Sequence, residues 1–111
     1  MKNKKKFSGV DREWIDSLIH LFENIFELDF VTLTYDIDYF NSLDSAHTNI
    51  IDDVKNVGSC MKSYRMIYLN EKILSGSPRS ETIRTLLHEF GHIKHGNDES
   101  RVLKFERRYM P

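Results

Sequence analysis

The segment from residue 77 to residue 96 constrains the fold more than any other part of the chain. It begins with Ser77-Pro78 and ends at Gly96, which predicts a helix with Ser77 as N-cap, Pro78 as its first residue and Gly96 as its C-terminal cap. Apolar side chains recur within it at the spacing of one helix face: Ile83, Leu86, Leu87 and Phe90. We therefore expect a long helix that packs this face against the core.

Two histidines lie beside that apolar face. His88 and His92 are four residues apart, so a helix stacks their imidazoles one turn apart on one side, where both can bind a single Zn²⁺ ion. Glu89 follows about 100° further around the helix, where it can approach a zinc-bound water without ligating the metal. Because zinc lowers the pKa of that water to roughly 7, the motif predicts Glu89 as the general base of peptide-bond hydrolysis.

A hydrolytic zinc centre needs a third protein ligand and one open position. His95 shares the face of the two histidines, but three turns of one straight helix do not easily surround a tetrahedral ion. Glu99 and Glu106 belong to a predicted final amphipathic helix and are seven residues apart, which places them on one face of it. Asp98 lies just before them. Spacing alone leaves Asp98, Glu99 and Glu106 as alternative third ligands.

The remaining periodic segments predict an α+β fold. A helix is expected over residues 11–27. Its predicted core stripe is Trp14, Leu18, Leu21, Phe22 and Ile25. Alternating β-branched and aromatic residues predict strands over 29–35, 57–61 and 64–69. The expected architecture is an N-terminal helix, a small mostly antiparallel sheet, the histidine-bearing helix and a short C-terminal glutamate helix.

Composition limits the class of protein. A chain of 111 residues with 40% hydrophobic content fits one domain, predicted over residues 9–111 behind a flexible basic tail at 1–8. No apolar run approaches the roughly 20 residues of a membrane span. A single cysteine, Cys60, excludes an internal disulfide and favours a cytoplasmic location. The formal net charge of −1 disfavours nucleic acid as a partner.

Three motifs follow one another in the C-terminal half. A strand segment ends in Asn70, His88-Glu-Phe-Gly-His follows on a helix, and residues 99–105 have the form E-x-x-V-x-x-F, with Tyr109-Met-Pro at the close. Together they resemble the ImmA/IrrE-type metallopeptidases, gluzincin-like proteins frequent on phages and integrative elements. The resemblance implies a minimal zincin-like domain with Glu99 as the third zinc ligand and Glu89 as the catalytic residue. It also implies a protein substrate such as a repressor or a defence regulator.

Several other residues are candidates for supporting roles. Tyr64, Tyr68 or Tyr109 can supply the donor that stabilises a developing oxyanion. The predicted strand over 64–69 can serve as the edge that pairs with an extended substrate. Cys60 is interpreted as a small buried thiol, with an inhibitory fourth metal ligand as the alternative. The alternative function is a metallopeptidase-like zinc-binding protein that acts by contact, without proteolysis.

Overall fold

The computed structural model describes residues 11–44, 50–52, 54–96 and 98–109, apart from the side chains of Phe105 and Tyr109. The helices and strands are α1 (Arg12–Phe26), β1 (Thr32–Thr34), α2 (Ile37–Ser42), β2 (Gly58–Met61), β3 (Met66–Leu69), α3 (Glu71–Leu74), α4 (Arg79–His95) and α5 (Glu99–Tyr109). The predicted α+β class is confirmed. The predicted basic tail lies outside the described residues. Within the described ranges, no helix combines the length and the hydropathy that crossing a bilayer requires.

The three strands form one mixed sheet in the order β1-β3-β2. β3 pairs antiparallel with β2, with Gly58 opposite Leu69, and parallel with β1, with Thr32 opposite Met66. The predicted antiparallel pairing is therefore found on one side of β3 only. β3 is the central strand with both edges paired, so the predicted role of residues 64–69 as a substrate-binding edge is wrong. The edge strand that contacts α4 is β2.

Helix α1 covers the core with a face that overlaps the predicted one: Phe22 is buried, and Trp14, Leu18 and Ile25 are partly buried against the core. Its buried side chains are Ile15, Ile19, Phe22 and Phe26. Leu21 is 50% exposed. The residues 14–26 are apolar on more than one side, so the periodicity allows two stripes, and packing against α4 selects one. Phe26 stacks on Phe90 of α4, with ring centroids 5.5 Å apart.

Helix α4 packs as predicted, with Leu86, Leu87 and Phe90 fully buried. Gly96 ends it with φ of 71°, and its N–H donates to the His92 carbonyl at 2.7 Å, which agrees with the predicted C-terminal cap. The start differs from prediction. Pro78 holds the N-cap position, and the Ser77 hydroxyl donates instead to the carbonyl of Ile73 at 2.9 Å, because α3 ends only three residues earlier.

Helix α5 lies closely against α4 because Gly91 has no side chain. A Cβ atom at Gly91 would lie 3.1 Å from Cγ1 of Val102, which is itself fully buried on α5. Asp98 precedes α5 and accepts a hydrogen bond from the N–H of Arg101 at 3.2 Å. The close contact between Gly91 and Val102 places the first turn of α5 beside the histidine-bearing turns of α4.

Candidate metal centre

The two histidines of α4 and the first residue of α5 bring three ligand atoms together. The Nε2 atoms of His88 and His92 are 3.2 Å apart. Glu99 places Oε2 at 2.8 Å from Nε2 of His92 and Oε1 at 3.8 Å from Nε2 of His88. One ligand atom from each residue lies within 4.8 Å of the others, so this group can hold a metal ion. His88 and His92 are the ligands that the motif spacing predicts, and Glu99 is the third ligand that the family resemblance implies.

The other ring nitrogen of each histidine has its own partner. Nδ1 of His92 lies 2.8 Å from the Gly96 carbonyl oxygen, and Nδ1 of His88 lies 3.0 Å from Oε1 of Glu106. A carbonyl and a carboxylate only accept hydrogen bonds, so each Nδ1 is placed to donate one. With the proton on Nδ1, Nε2 is the ring nitrogen that can ligate a metal, as in metal-binding histidines.

The spacing of these atoms fits a bound cation. Without a metal, a proton on Nε2 of His92 can bridge the 2.8 Å contact with Glu99, whereas a metal ion can be shared by one ligand atom from each of the three residues. Two nitrogen ligands of a tetrahedral ion, each about 2.0–2.1 Å from the metal, lie roughly 3.3 Å apart. The separation of the two Nε2 atoms matches that value. The donor set and its spacing are consistent with a small four-coordinate metal ion.

The other predicted ligand candidates lie elsewhere. Glu106 contacts the outer nitrogen of His88, and its second oxygen is 3.8 Å from Nε of Arg84. Asp98 caps α5 and pairs with Arg101. His95 lines a separate cavity at the end of α4. Sequence reasoning weighed Glu106 as a ligand but missed its place behind His88, since spacing along α5 does not show which imidazole nitrogen a carboxylate reaches.

Comparisons with known proteins give no relative. A scan against protein-family models found no match, and searches of curated proteins and of solved structures found none either. The resemblance to ImmA/IrrE-type metallopeptidases therefore stays a prediction from the motifs.

Glu89 lies beside the three ligands but is not one of them. It is 7% exposed and borders two cavities, one of about 310 Å³ shared with His88 and one of about 550 Å³ shared with His92. Burial raises the pKa of its carboxyl group, and the opposing effects of His88 and a hydrogen bond with Cys60 do not cancel this. A raised pKa makes a carboxylate a better proton acceptor near neutral pH.

Cys60 lies on β2, opposite Glu89. Burial, followed by the nearby charge of Glu89, raises the pKa of the Cys60 thiol far above its ordinary value. The thiol therefore stays protonated in this structure and donates to the Glu89 carboxylate. Cys60 is half-buried, so the prediction of a small buried thiol is met only in part. The Cys60 thiol is thus a hydrogen-bond donor to Glu89, the predicted catalytic residue.

Of the predicted tyrosines, Tyr64 and Tyr68 are not brought to the site. Tyr68 is buried against Phe40 in a second core cluster. Tyr64 is exposed in the short 3-10 turn that follows β2, and the Tyr109 side chain lies outside the described residues. Cations border the cavities instead, with Arg84 in the smaller and Lys62 in the larger. The only sequence signal for Arg84 is its position one turn before His88.

Proposed function

We propose that this chain is a zinc-dependent metallopeptidase that hydrolyses a peptide bond in a protein or peptide substrate. The observation that carries the proposal is the convergence of His88 Nε2, His92 Nε2 and Glu99 beside the buried carboxyl of Glu89. Two imidazoles with one carboxylate are a ligand set suited to zinc and not to magnesium or calcium. Three protein ligands leave one position open for chemistry.

The roles of the residues follow from their positions. When bound, zinc lowers the pKa of a coordinated water and polarises a carbonyl oxygen. Glu89 accepts the proton and passes it to the leaving amine, helped by the raised pKa that burial gives it. Glu106 and the Gly96 carbonyl hold the two imidazoles in the tautomer that ligation requires.

The substrate-binding surface in this proposal is β2, an edge strand of the sheet. An extended peptide can add to an edge strand through backbone hydrogen bonds. β2 runs from Gly58 to Met61, and its residues border both of the cavities that Glu89 separates. Side chains on either side of the scissile bond would then occupy the smaller and the larger cavity. A repressor or defence regulator as the natural substrate rests on the resemblance alone.

The proposal is tested by measuring zinc content and peptide cleavage in the same samples. The wild-type chain should bind one zinc ion and cleave members of a mixed peptide library, detected by mass spectrometry. Glu89→Gln should retain zinc and lose cleavage, and His88→Ala should lose both. Glu81→Gln is the matched control, because Glu81 lies on the same helix and pairs with Arg84 at 3.5 Å. Cleavage that survives in Glu89→Gln would contradict the proposed base.

A zinc-binding protein that acts by contact is the second candidate. The observation that favours it is the hydrogen bond from the Cys60 thiol to Glu89, which occupies an oxygen that a general base needs. Cys60→Ala separates the two functions. If the protein is a peptidase, this variant should cleave at least as fast as wild type. Stoichiometric zinc with no cleavage in wild type or in Cys60→Ala would support the contact function.

A further inference from the structure

The charged residues of α5 are divided between two sides of the helix. Glu99 and Glu106 are seven residues apart and both contact the histidines of α4. Arg101, Lys104 and Arg108 have the spacing i, i+3 and i+7, which places them about half a turn away from the glutamates. The acidic side of α5 thus contacts the histidines of the metal centre, and the basic side faces away from them.

The three cations line a concave surface. Together with His95 they border a cavity of about 400 Å³ at the end of α4. We call these four residues the α5 basic surface. Arg101 has Asp98 at 3.6 Å, but both side chains are exposed and such a pair is weak. Lys104 and Arg108 form no ion pair with any residue in the described part of the chain.

The electrostatic surroundings of His95 indicate a positive potential here. Burial lowers the pKa of His95, and the neighbouring cations Arg101 and Lys94 lower it further; Asp98 raises it by a smaller amount, and Lys62 has the smallest effect, which lowers it. Charges from three separate elements therefore act on one imidazole. The positive electrostatic potential therefore comes from Lys62 and Lys94 as well as from the cations of α5.

Lys62 connects this surface to the metal centre. It acts electrostatically on His95, and it also borders the 550 Å³ cavity that contains Glu89 and His92. Cationic side chains therefore extend from that cavity, past the end of α4, to the outer side of α5. A chain that leaves the cavity in this direction meets positive charge along its path.

We propose that the α5 basic surface docks a short acidic segment of a polypeptide partner. Arg101 and Arg108 are seven residues apart, which on a helix is roughly 10 Å and equals about three residues of an extended chain. Nucleic acids bind by neutralising many phosphates along a track longer than these three cations provide. The surface is thus matched in length and charge to a few carboxylates. Docking does not require the proposed peptidase activity.

The test uses fluorescein-labelled hexaglutamate and the zinc-loaded full chain, followed by fluorescence anisotropy at low ionic strength. The double variant Lys104→Gln/Arg108→Gln should bind about tenfold more weakly than wild type, because two exposed ion pairs are lost. Lys72→Gln/Arg107→Gln is the matched control. It removes the same net charge from exposed positions outside the cavity, so its affinity should stay within about twofold.

Three results would overturn the proposal. Equal weakening in both double variants would mean that only net charge matters, and absence of binding by wild type would exclude docking. Tighter binding of heptathymidylate, which carries six phosphate charges, would identify a nucleic-acid surface instead. Glu89→Gln should bind hexaglutamate like wild type whether or not the chain is a peptidase. Failure here is therefore distinguishable from failure of the proposed hydrolysis.

Discussion

Replacing Glu106 with glutamine tests the arrangement behind His88. Oε1 of Glu106 lies 3.0 Å from Nδ1 of His88, and the Glu106 side chain is 17% exposed. The amide keeps the shape of the carboxylate and can still accept a hydrogen bond, but it loses the charge. Loss of such a partner typically weakens metal binding by about 10- to 100-fold, or roughly 1.4–2.8 kcal/mol.

The structure places the expected loss at the lower end of that range. The second oxygen of Glu106 is 3.8 Å from Nε of Arg84, so part of the carboxylate charge is already balanced in the wild-type protein. We therefore expect zinc affinity to fall about tenfold in Glu106→Gln. Thermal stability of the metal-free protein should change little, since neither hydrogen-bonding group is left without a partner.

Zinc affinity is measured by competition with a chromophoric chelator at neutral pH. Glu81→Gln is the control, because the same chemical change beside Arg84 should leave affinity within about twofold. Glu99→Gln should lose more affinity than Glu106→Gln, since it removes a ligand and not its neighbour. Unchanged affinity in Glu106→Gln would refute the role given to Glu106. A larger loss there than in Glu99→Gln would make Glu106 the ligand.

Three further predictions concern stability and helix packing. Burial raises the pKa of Tyr35 to about 12, above its unfolded value near 10. The stability that Tyr35 contributes is therefore complete below pH 10 and is lost as the pH rises through 12. Tyr35→Phe should remove this part of the alkaline unfolding that circular dichroism measures. Gly91→Ala should weaken zinc binding in the chelator assay, because its methyl group would press on Val102 and displace the helix that carries Glu99. Leu86→Ala should lower the free energy of unfolding by about 2–5 kcal/mol in denaturant titrations, because this fully buried side chain leaves a cavity.

The features predicted correctly from the sequence are those that depend on residues close together in the chain. The length and the buried face of α4 follow from its apolar spacing and from Gly96, and both were predictable. The Ser77 cap failed because α3, a helix of four residues, is too short to give a periodic signal. The apolar spacing predicts Leu21 in the core because α1 is apolar on two sides, and only packing against α4 selects between them.

Longer-range features were not predictable in the same way. Which strand is central depends on the parallel pairing of β1 with β3, and no local pattern encodes that register. Glu99 and Glu106 share one face of α5, so their spacing could not assign one to Nε2 and the other to Nδ1 of His88. That assignment depends on how closely α5 approaches α4 at Gly91.

X-ray absorption spectroscopy of the zinc-loaded protein identifies the atoms bound to the metal. We expect one zinc ion per chain, with two imidazole nitrogens and oxygen ligands at about 2.0–2.2 Å from the zinc. His88→Ala and Glu99→Gln should each change that ligand shell, while Glu81→Gln should not. A protein that binds no stoichiometric zinc would contradict the claim. A sulfur ligand near 2.3 Å would contradict it as well, because it would place the Cys60 thiolate on the metal.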